Sequence, residues 1–486
     1  MQEKTVRTRF APSPTGFMHV GNLRTALYEY LIAKSLGGTF ILRIEDTDQE
    51  RLVEGAVNVI YRTLEQVGLK HDEGPDVGGE FGPYVQSERK NTYLPYAQQL
   101  VREGKAYYCF CTRERLESLH TGEGEFGGYD RHCRDLPQEE VERLLAANTP
   151  YVIRQKMPLE GSTTFEDSVY GSITIENKEL EDQILVKSDG YPTYNFANVI
   201  DDHLMHITHV VRGSEYLSST PKYNLLYEAF GWEIPTYVHL PLIMGKNEDG
   251  TVSKLSKRHG STGFADLIQE GYLPQTIVNY IALLGWCPKE NRELFTLPEL
   301  VENFSIDGIS KSPAVFDYDK LTWFNGEYLR AMSQEEFISV AMPYFKEVFP
   351  EQELNWPVLA SILQPRVTKL TQIPEMIAFL KELPDYEADF FVNKKSKTNP
   401  ENSQQMLVAA IEALTAVSDW TVEPLHETLM ALAQQLEVKN GTLLWPVRIA
   451  AAGMLVTPGG AIEILAILGK DESLRRLIIG LEKLRA

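Results

Sequence analysis

Apolar and polar positions alternate at the start of the chain. Val6, Thr8 and Phe10 alternate with Arg7 and Arg9, the period of a half-buried strand. The run from Pro12 to Gly21 cannot continue that strand, because prolines and glycines interrupt it. Leu23, Ala26, Leu27, Tyr30 and Leu31 then recur at helical spacing, and Gly37-Gly38 end the helix. Phe40-Ile41-Leu42-Arg43-Ile44 reads as a strand, with Glu45 just beyond it. Ile207-Thr208-His209-Val210-Val211 is a further apolar run, and Val238-His239-Leu240-Pro241-Leu242 predicts a late strand. Beyond residue 330 the pattern becomes helical. Leu474, Leu477, Ile478, Leu481 and Leu484 recur on one face, preceded by Asp471 and Glu472, which suit the positive end of a helix dipole. Gly469 closes the helix before it.

This pattern places His19-Val20-Gly21-Asn22 on a strand-to-helix turn. Unpaired backbone N–H groups and the helix dipole make such a turn an anion site. Gly21 leaves room for a nucleotide, and His19 can donate a hydrogen bond to phosphate oxygens. Far along the chain, Lys254-Leu255-Ser256-Lys257-Arg258 lies in a polar loop that begins near Gly245. Ammonium groups on such a loop can stabilise a pyrophosphate leaving group as it gains charge. Together the two segments predict an enzyme that activates a carboxylate with ATP.

The same segments resemble the HIGH and KMSKS motifs of class I aminoacyl-tRNA synthetases, and specifically of bacterial glutamyl-tRNA synthetases. The departures are Val20 for Ile, Asn22 for the second His, Leu255 for Met and Arg258 for Ser. Further matches are Gly82-Pro83-Tyr84-Val85-Gln86-Ser87-Glu88-Arg89, Pro192 to Asn198, Lys311 to Asp317 and Gly441 to Arg448. The resemblance implies an α/β N-terminal half, a class I Rossmann-type parallel sheet with an α+β insertion, followed by an all-α C-terminal half. It implies glutamate activation by ATP with Mg2+, dependent on bound tRNA, and transfer to the 3′ end of tRNA(Glu). A variant of this reading also charges tRNA(Gln) and relies on an amidotransferase, and a remoter one is a non-catalytic RNA-binding paralogue. His19, Gly21, Asn22, Lys254 and Lys257 would carry catalysis, and His19, Gly21, Lys257 and Arg258 would hold ATP. Glutamate has two carboxylates and one ammonium, so a selective pocket needs two cations and one anion. The resemblance assigns Arg9, Ser13, Glu45, Tyr194, Asn198 and Arg212 to that pocket. Glu45 is expected to take the ammonium and the two arginines the carboxylates, in an order the sequence leaves open.

Length and composition refine this picture. A chain of 486 residues exceeds one core. The expected domains are 1–90 with 191–258 (catalytic), 91–190 (an insertion that grips the acceptor end), 259–330 (a helical connector at the tRNA stem) and 331–486 (anticodon binding). Gly122 to Gly128 reads as a mobile loop. The net charge of −21 is opposite to the usual sign for a nucleic-acid binder. Binding follows where Lys and Arg cluster rather than the sum, so the charge predicts salt-sensitive, moderate affinity. The N-terminus is no signal peptide, no apolar run spans a membrane, and four cysteines imply a reducing cytoplasm. A monomer is expected. Cys109, Cys111 and Cys133 suggest a structural zinc site, while Cys287 stands apart as a core thiol. Asp135 is the favoured fourth ligand by similarity, with Tyr129 and His132 as alternatives.

Overall fold

The structure is a computed structural model that describes residues 5–48, 52–120 and 129–485; the glycine-rich segment 122–128 lies outside the described residues. The chain forms two compact units. One comprises residues 1–267 and 277–317, the other 268–276 and 318–486.

In the first unit β1 (Arg7–Phe10) and β2 (Thr39–Leu42) pair in parallel, with Arg9 opposite Ile41. Helix α1 (Val20–Ser35) connects them. It starts at His19, whose ring accepts the Gly21 N–H and so satisfies an orphan donor of the first turn. It stops before Gly37, where φ of 66° favours a residue without Cβ. Leu23, Leu27 and Leu31 are fully buried, so α1 is a core helix that holds its first turn rigidly.

The strands β3 (Ala106–Cys109), β4 (Val152–Gln155), β5 (Ser162–Asp167), β6 (Gly171–Glu176) and β7 (Ile184–Val186) follow. β3, β4 and β7 form an antiparallel sheet of their own. β8 (His209–Gly213) and β9 (Thr236–Leu240) pair in parallel, Arg212 opposite His239. The Thr208 N–H donates to the Arg7 carbonyl at 3.0 Å, which sets β8 beside β1. β5 joins the far side of β9 at Asp167 and Tyr237, giving the order β6-β5-β9-β8. The segment expected to form a separate insertion over 91–190 therefore lends a hairpin to the catalytic sheet. Likewise β10 (Ile243–Lys246) pairs with β11 (Val252–Lys254) and, in parallel, with β12 (Ala314–Phe316). The expected connector 259–330 thus returns a strand beside the lysine loop, and the unit boundary falls after Asp317.

The second unit is helical, from Tyr318–Ala331 to Lys470–Arg485. Ser333 and Asn399 close capping boxes with Glu336 and Asn402. In the last helix Leu477 and Leu481 are buried, but Ile478 is 45% exposed, against expectation. The buried face is turned toward Ser473, Arg476 and Gly480. Arg476 lies fully buried and donates to the carbonyls of Phe379, Ala451 and Leu380 at 2.7, 3.0 and 2.9 Å. Among the described residues no helix is long and apolar enough to cross a membrane.

Candidate active site

A cavity of about 370 Å³ opens where β1 and β8 end, the edge at which parallel α/β sheets bind ligands. Arg9, Ser13, His19, Gly21, Asn22, Tyr194, Arg212 and Lys254 line it. The structure thus brings together residues from five separate stretches of chain.

His19 Nδ1 accepts the Gly21 N–H at 3.0 Å. The neutral ring therefore carries its proton on Nε2, ready to donate. Burial, and then the nearby Lys254 ammonium, hold its pKa below the usual histidine value. A Cβ on Gly21 would stand 3.3 Å from His19 Nδ1, so glycine keeps this turn tight. Asn22 is exposed at the start of α1.

Arg9 is 3% exposed and sits in a buried charge cluster. Its Nε donates to Asp202 Oδ1 at 2.9 Å and its Nη1 to Glu29 Oε1 at 3.3 Å. Arg43 donates to the same Asp202 oxygen at 2.8 Å and to Glu45 Oε1 at 2.9 Å. Two guanidinium groups thus face three carboxylates, and Glu29, Glu45 and Asp202 each keep one buried oxygen without a partner. Burial pushes Glu45 up to about 7 despite Arg43 and Arg9. Burial likewise raises Glu29 well above the usual range. Asp202 is buried too, but Arg9 and Arg43 hold it below the ordinary carboxylate value. Arg9 Nη2 makes no hydrogen bond to a described residue.

Arg212 is 6% exposed. Its Nε donates to His239 Nε2 at 3.1 Å and its Nη2 to Thr220 Oγ1 at 2.9 Å. Its guanidinium lies 4.3 Å from the Tyr223 ring centre. Nη1 makes no hydrogen bond to a described residue. Asn198 and Glu45 are not on the cavity wall; Asn198 Nδ2 donates to the hydroxyl of Tyr194 at 3.5 Å. Glu29 and Glu215 are on the wall, and the sequence reading missed both, together with Arg43, Asp202 and His239. For Arg43 and His239 the signal is a charged or polar residue inside an apolar run, as His239 between Val238 and Leu240.

Lys254 ends β11 with its Nζ 3.9 Å from Glu215. Lys257 and Arg258 are exposed and stand off the wall. His259 pins their loop: its Nδ1 accepts the Ser256 N–H at 3.0 Å and its Nε2 lies 2.9 Å from Asn247 Oδ1.

At the end of β3 the thiols of Cys109, Cys111 and Cys133 lie within 4.8 Å of one another. Cys111 and Cys133 sulfurs are 3.6 Å apart; Zn–S bonds in a tetrahedron set a spacing of about 3.8 Å. The Tyr129 hydroxyl is 3.2 Å from Cys109 Sγ and 3.8 Å from Cys111 Sγ. The hydrogen bond with Cys133, against burial, lowers the pKa of the Cys109 thiol. Asp135 does not join the cluster: it is exposed and pairs with Lys156 at 3.1 Å. His132 is exposed as well. Cys287, expected in the core, is exposed.

A histidine-capped helix start after the parallel strand β1 and a lysine at the end of the β10–β11 hairpin meet in one cavity, an arrangement suited to a nucleotide-using enzyme of Rossmann type. Residues 5–323 match the catalytic domain of the class I tRNA synthetases (E and Q), and residues 320–481 an anticodon binding domain. The glutamate–tRNA ligase of Clostridium novyi (strain NT) is 60% identical over 488 residues, 100% of this chain and 99% of that protein. That of Clostridium kluyveri is 58% identical over 483 residues, covering 99% and 98%. A crystal structure of a glutamate tRNA ligase from Elizabethkingia meningosepticum in complex with its amino acid matches with a TM-score of 0.88 and 37% identity, over 99% of this chain and 100% of that one. The chain belongs to the class I tRNA synthetases, within their glutamate–tRNA ligase group.

Proposed function

We propose that this chain activates L-glutamate with ATP and passes the glutamyl group to the 3′ end of tRNA(Glu), releasing AMP and pyrophosphate. The observation that carries the reading is the pairing of two arginines, Arg9 and Arg212, on the wall of one cavity with the His19 turn; Nη2 of the first and Nη1 of the second make no hydrogen bond to a described residue. Each can donate to one substrate carboxylate. Glu45, held through Arg43 and Asp202 in the charge cluster that Arg9 shares, and left with an oxygen without a partner among the described residues, takes the ammonium. Ser13 and Tyr194 complete the wall, and Asn198 stands behind the Tyr194 hydroxyl.

The glutamate α-carboxylate then attacks the α-phosphate in line, and the tRNA hydroxyl attacks the resulting anhydride. No protein nucleophile is needed; positioning and charge stabilisation supply the rate. His19 Nε2–H and the backbone at Gly21 and Asn22 hold the phosphates at the helix start. Lys254, Lys257 and Arg258 neutralise the leaving pyrophosphate, and Mg2+ accompanies the nucleotide. Cys109, Cys111, Cys133 and Tyr129 fit a structural Zn2+, which shapes the 91–190 region for the acceptor end and takes no part in the chemistry. Residues 259–330 meet the tRNA stem, and the helices beyond 331 read the anticodon, in a monomer acting in the cytoplasm.

The test is charging of purified tRNA(Glu) and tRNA(Gln) with labelled glutamate and ATP. Glutamate on tRNA(Glu) alone is the expected outcome. Label on both would make the enzyme non-discriminating and dependent on an amidotransferase, and label on neither would end the reading.

A further inference from the structure

Behind Arg212, three neighbouring strands line up a buried chain of polar groups. Asp167 ends β5, His239 lies on β9 and Arg212 on β8, and they are 4%, 0% and 6% exposed. His239 Nδ1 is 2.6 Å from Asp167 Oδ2. Asp167 Oδ1 also accepts the N–H groups of Val169 and Tyr170 at 2.9 and 2.8 Å. Although burial opposes ionisation, the bonds from His239 and the Tyr170 N–H hold the Asp167 pKa below its ordinary value. An ionised carboxylate only accepts, so His239 Nδ1 carries the proton. The Arg212 Nε–H only donates, so His239 Nε2 offers its lone pair at 3.1 Å. Both neighbours therefore dictate one neutral tautomer. Thr220 Oγ1 accepts from Arg212 Nη2 and donates its O–H to the Tyr216 carbonyl at 2.9 Å.

We propose that Asp167 and His239 are positioning residues for the amino-acid substrate: Asp167 fixes the ring of His239, and His239 aims Arg212 so that Nη1 meets a substrate carboxylate. This rests on the reading of Arg212 as a glutamate ligand. The choice of histidine has a charge logic. Arg9 is compensated by Asp202 and Glu29, whereas Arg212 is held by a neutral ring, a hydroxyl and the faces of Tyr216, Tyr223 and Tyr237 at 5.1, 4.3 and 5.3 Å. A carboxylate at position 239 would hold the guanidinium equally well but cancel the charge that the substrate must find. The arrangement orients Arg212 without neutralising it.

The test is pyrophosphate exchange in the presence of tRNA, with KM for glutamate and for ATP measured separately. His239→Leu removes the acceptor, and Asp167→Asn places an amide donor against His239 and favours the opposite tautomer. Both should raise the glutamate KM about tenfold or more, the scale of a hydrogen bond to a charged group, and leave the ATP KM within about twofold. His239→Gln, whose amide oxygen can reach the Arg212 Nε–H, should recover most of the affinity. An unchanged glutamate KM in His239→Leu, or equal rises for both substrates without recovery by glutamine, would overturn the proposal. Nitrogen NMR of the wild-type ring should find Nδ1 protonated and Nε2 bare; a protonated Nε2 would overturn it without any variant. Arg212→Gln separates the two layers. If it leaves the glutamate KM unmoved, the pocket reading itself fails; if it raises KM while His239→Leu does not, only the positioning role fails.

Discussion

The proposed role of Glu45 predicts that substrate binding is coupled to a proton. Its folded pKa of about 7 lies above the ordinary glutamate value because burial outweighs the pull of Arg43 and Arg9. For such a raised carboxyl the folded state binds the extra proton between the ordinary value and about 7. Its contribution to stability is full below that window and is lost as pH rises through it. An ammonium arriving at Glu45 favours the ionised form, so glutamate binding at pH 6 should release about one proton. Calorimetry in buffers of different ionisation enthalpy measures the release, and Glu45→Gln should abolish most of it. Glu29 is the internal control, because it is also raised by burial and borders the cavity. If Glu29→Gln rather than Glu45→Gln removes the release, the ammonium sits against Glu29. At this scale the sequence pointed to residues that the structure gathers in one place, since Arg9, Ser13, Tyr194 and Arg212 all line the cavity. It was silent about the groups behind them. Arg43 and His239 lie in apolar stretches, and nothing in hydrophobic period says which buried charge finds which partner across 150 residues or more of chain, as Arg43 finds Asp202.

The lysine loop and the cysteine cluster are the elements whose geometry makes the firmest claims. Gly245 has no side chain because the His259 ring occupies the space: a Cβ there would stand 2.5 Å from the ring. Gly245→Ala must displace His259, and with it the bonds to Ser256 and Asn247 that set the loop. It should lower the rate of glutamate activation about tenfold, with tRNA affinity kept. Lys257→Ala removes the charge itself and should cost about a hundredfold or more in the same exchange assay. A near-normal rate would take the loop out of the mechanism. For the cysteines, Cys109→Ser with Cys111→Ser should release zinc, read by elemental analysis, and weaken acceptor-end binding, whereas Asp135→Ala should retain the metal because Asp135 faces Lys156. Absence of zinc from the wild type would remove the site altogether. Element types were legible where periodicity was clean, as in β1, α1 and the C-terminal helices. The last helix shows where it was not: Arg476 satisfies three backbone carbonyls in the core, and Gly480 lies where a Cβ would meet Ala450 at 2.6 Å. A polar residue and a glycine mark its buried face, so the apolar pattern pointed one residue too far toward Ile478.

At the scale of the whole molecule the chain is not two beads on a string. Residues 268–276 belong to the helical unit although residues 277–317 belong to the α/β unit. The short segment is well anchored. Leu273 is 4% exposed, its N–H donates to Asn325 Oδ1 at 2.9 Å, and Asn325 Nδ2 returns a bond to the Gly271 carbonyl at 3.2 Å. The Leu370 N–H reaches the same carbonyl at 3.1 Å, and the Thr371 hydroxyl reaches the Glu270 carbonyl at 2.8 Å. A fragment starting at Tyr318 loses all of these at once. It leaves the fully buried Oδ1 of Asn325 without its donor, although Nδ2 keeps the Thr368 carbonyl at 2.7 Å, and it opens the pocket that Leu273 fills. Emptying one buried leucine site costs about 2–5 kcal/mol, and an unpaired buried polar side chain about 1–3 kcal/mol more. Those losses are comparable to the whole stability of a domain of this size, which is about 5–15 kcal/mol. Residues 318–486 alone should therefore melt well below the full chain or fail to fold cooperatively, as followed by circular dichroism. Adding a synthetic peptide of residues 266–278 in excess should raise the melting temperature in a concentration-dependent way, since it binds only the folded form. A fragment as stable without the peptide as with it would show that the segment is a passenger, and that the two units can be separated by a single cut.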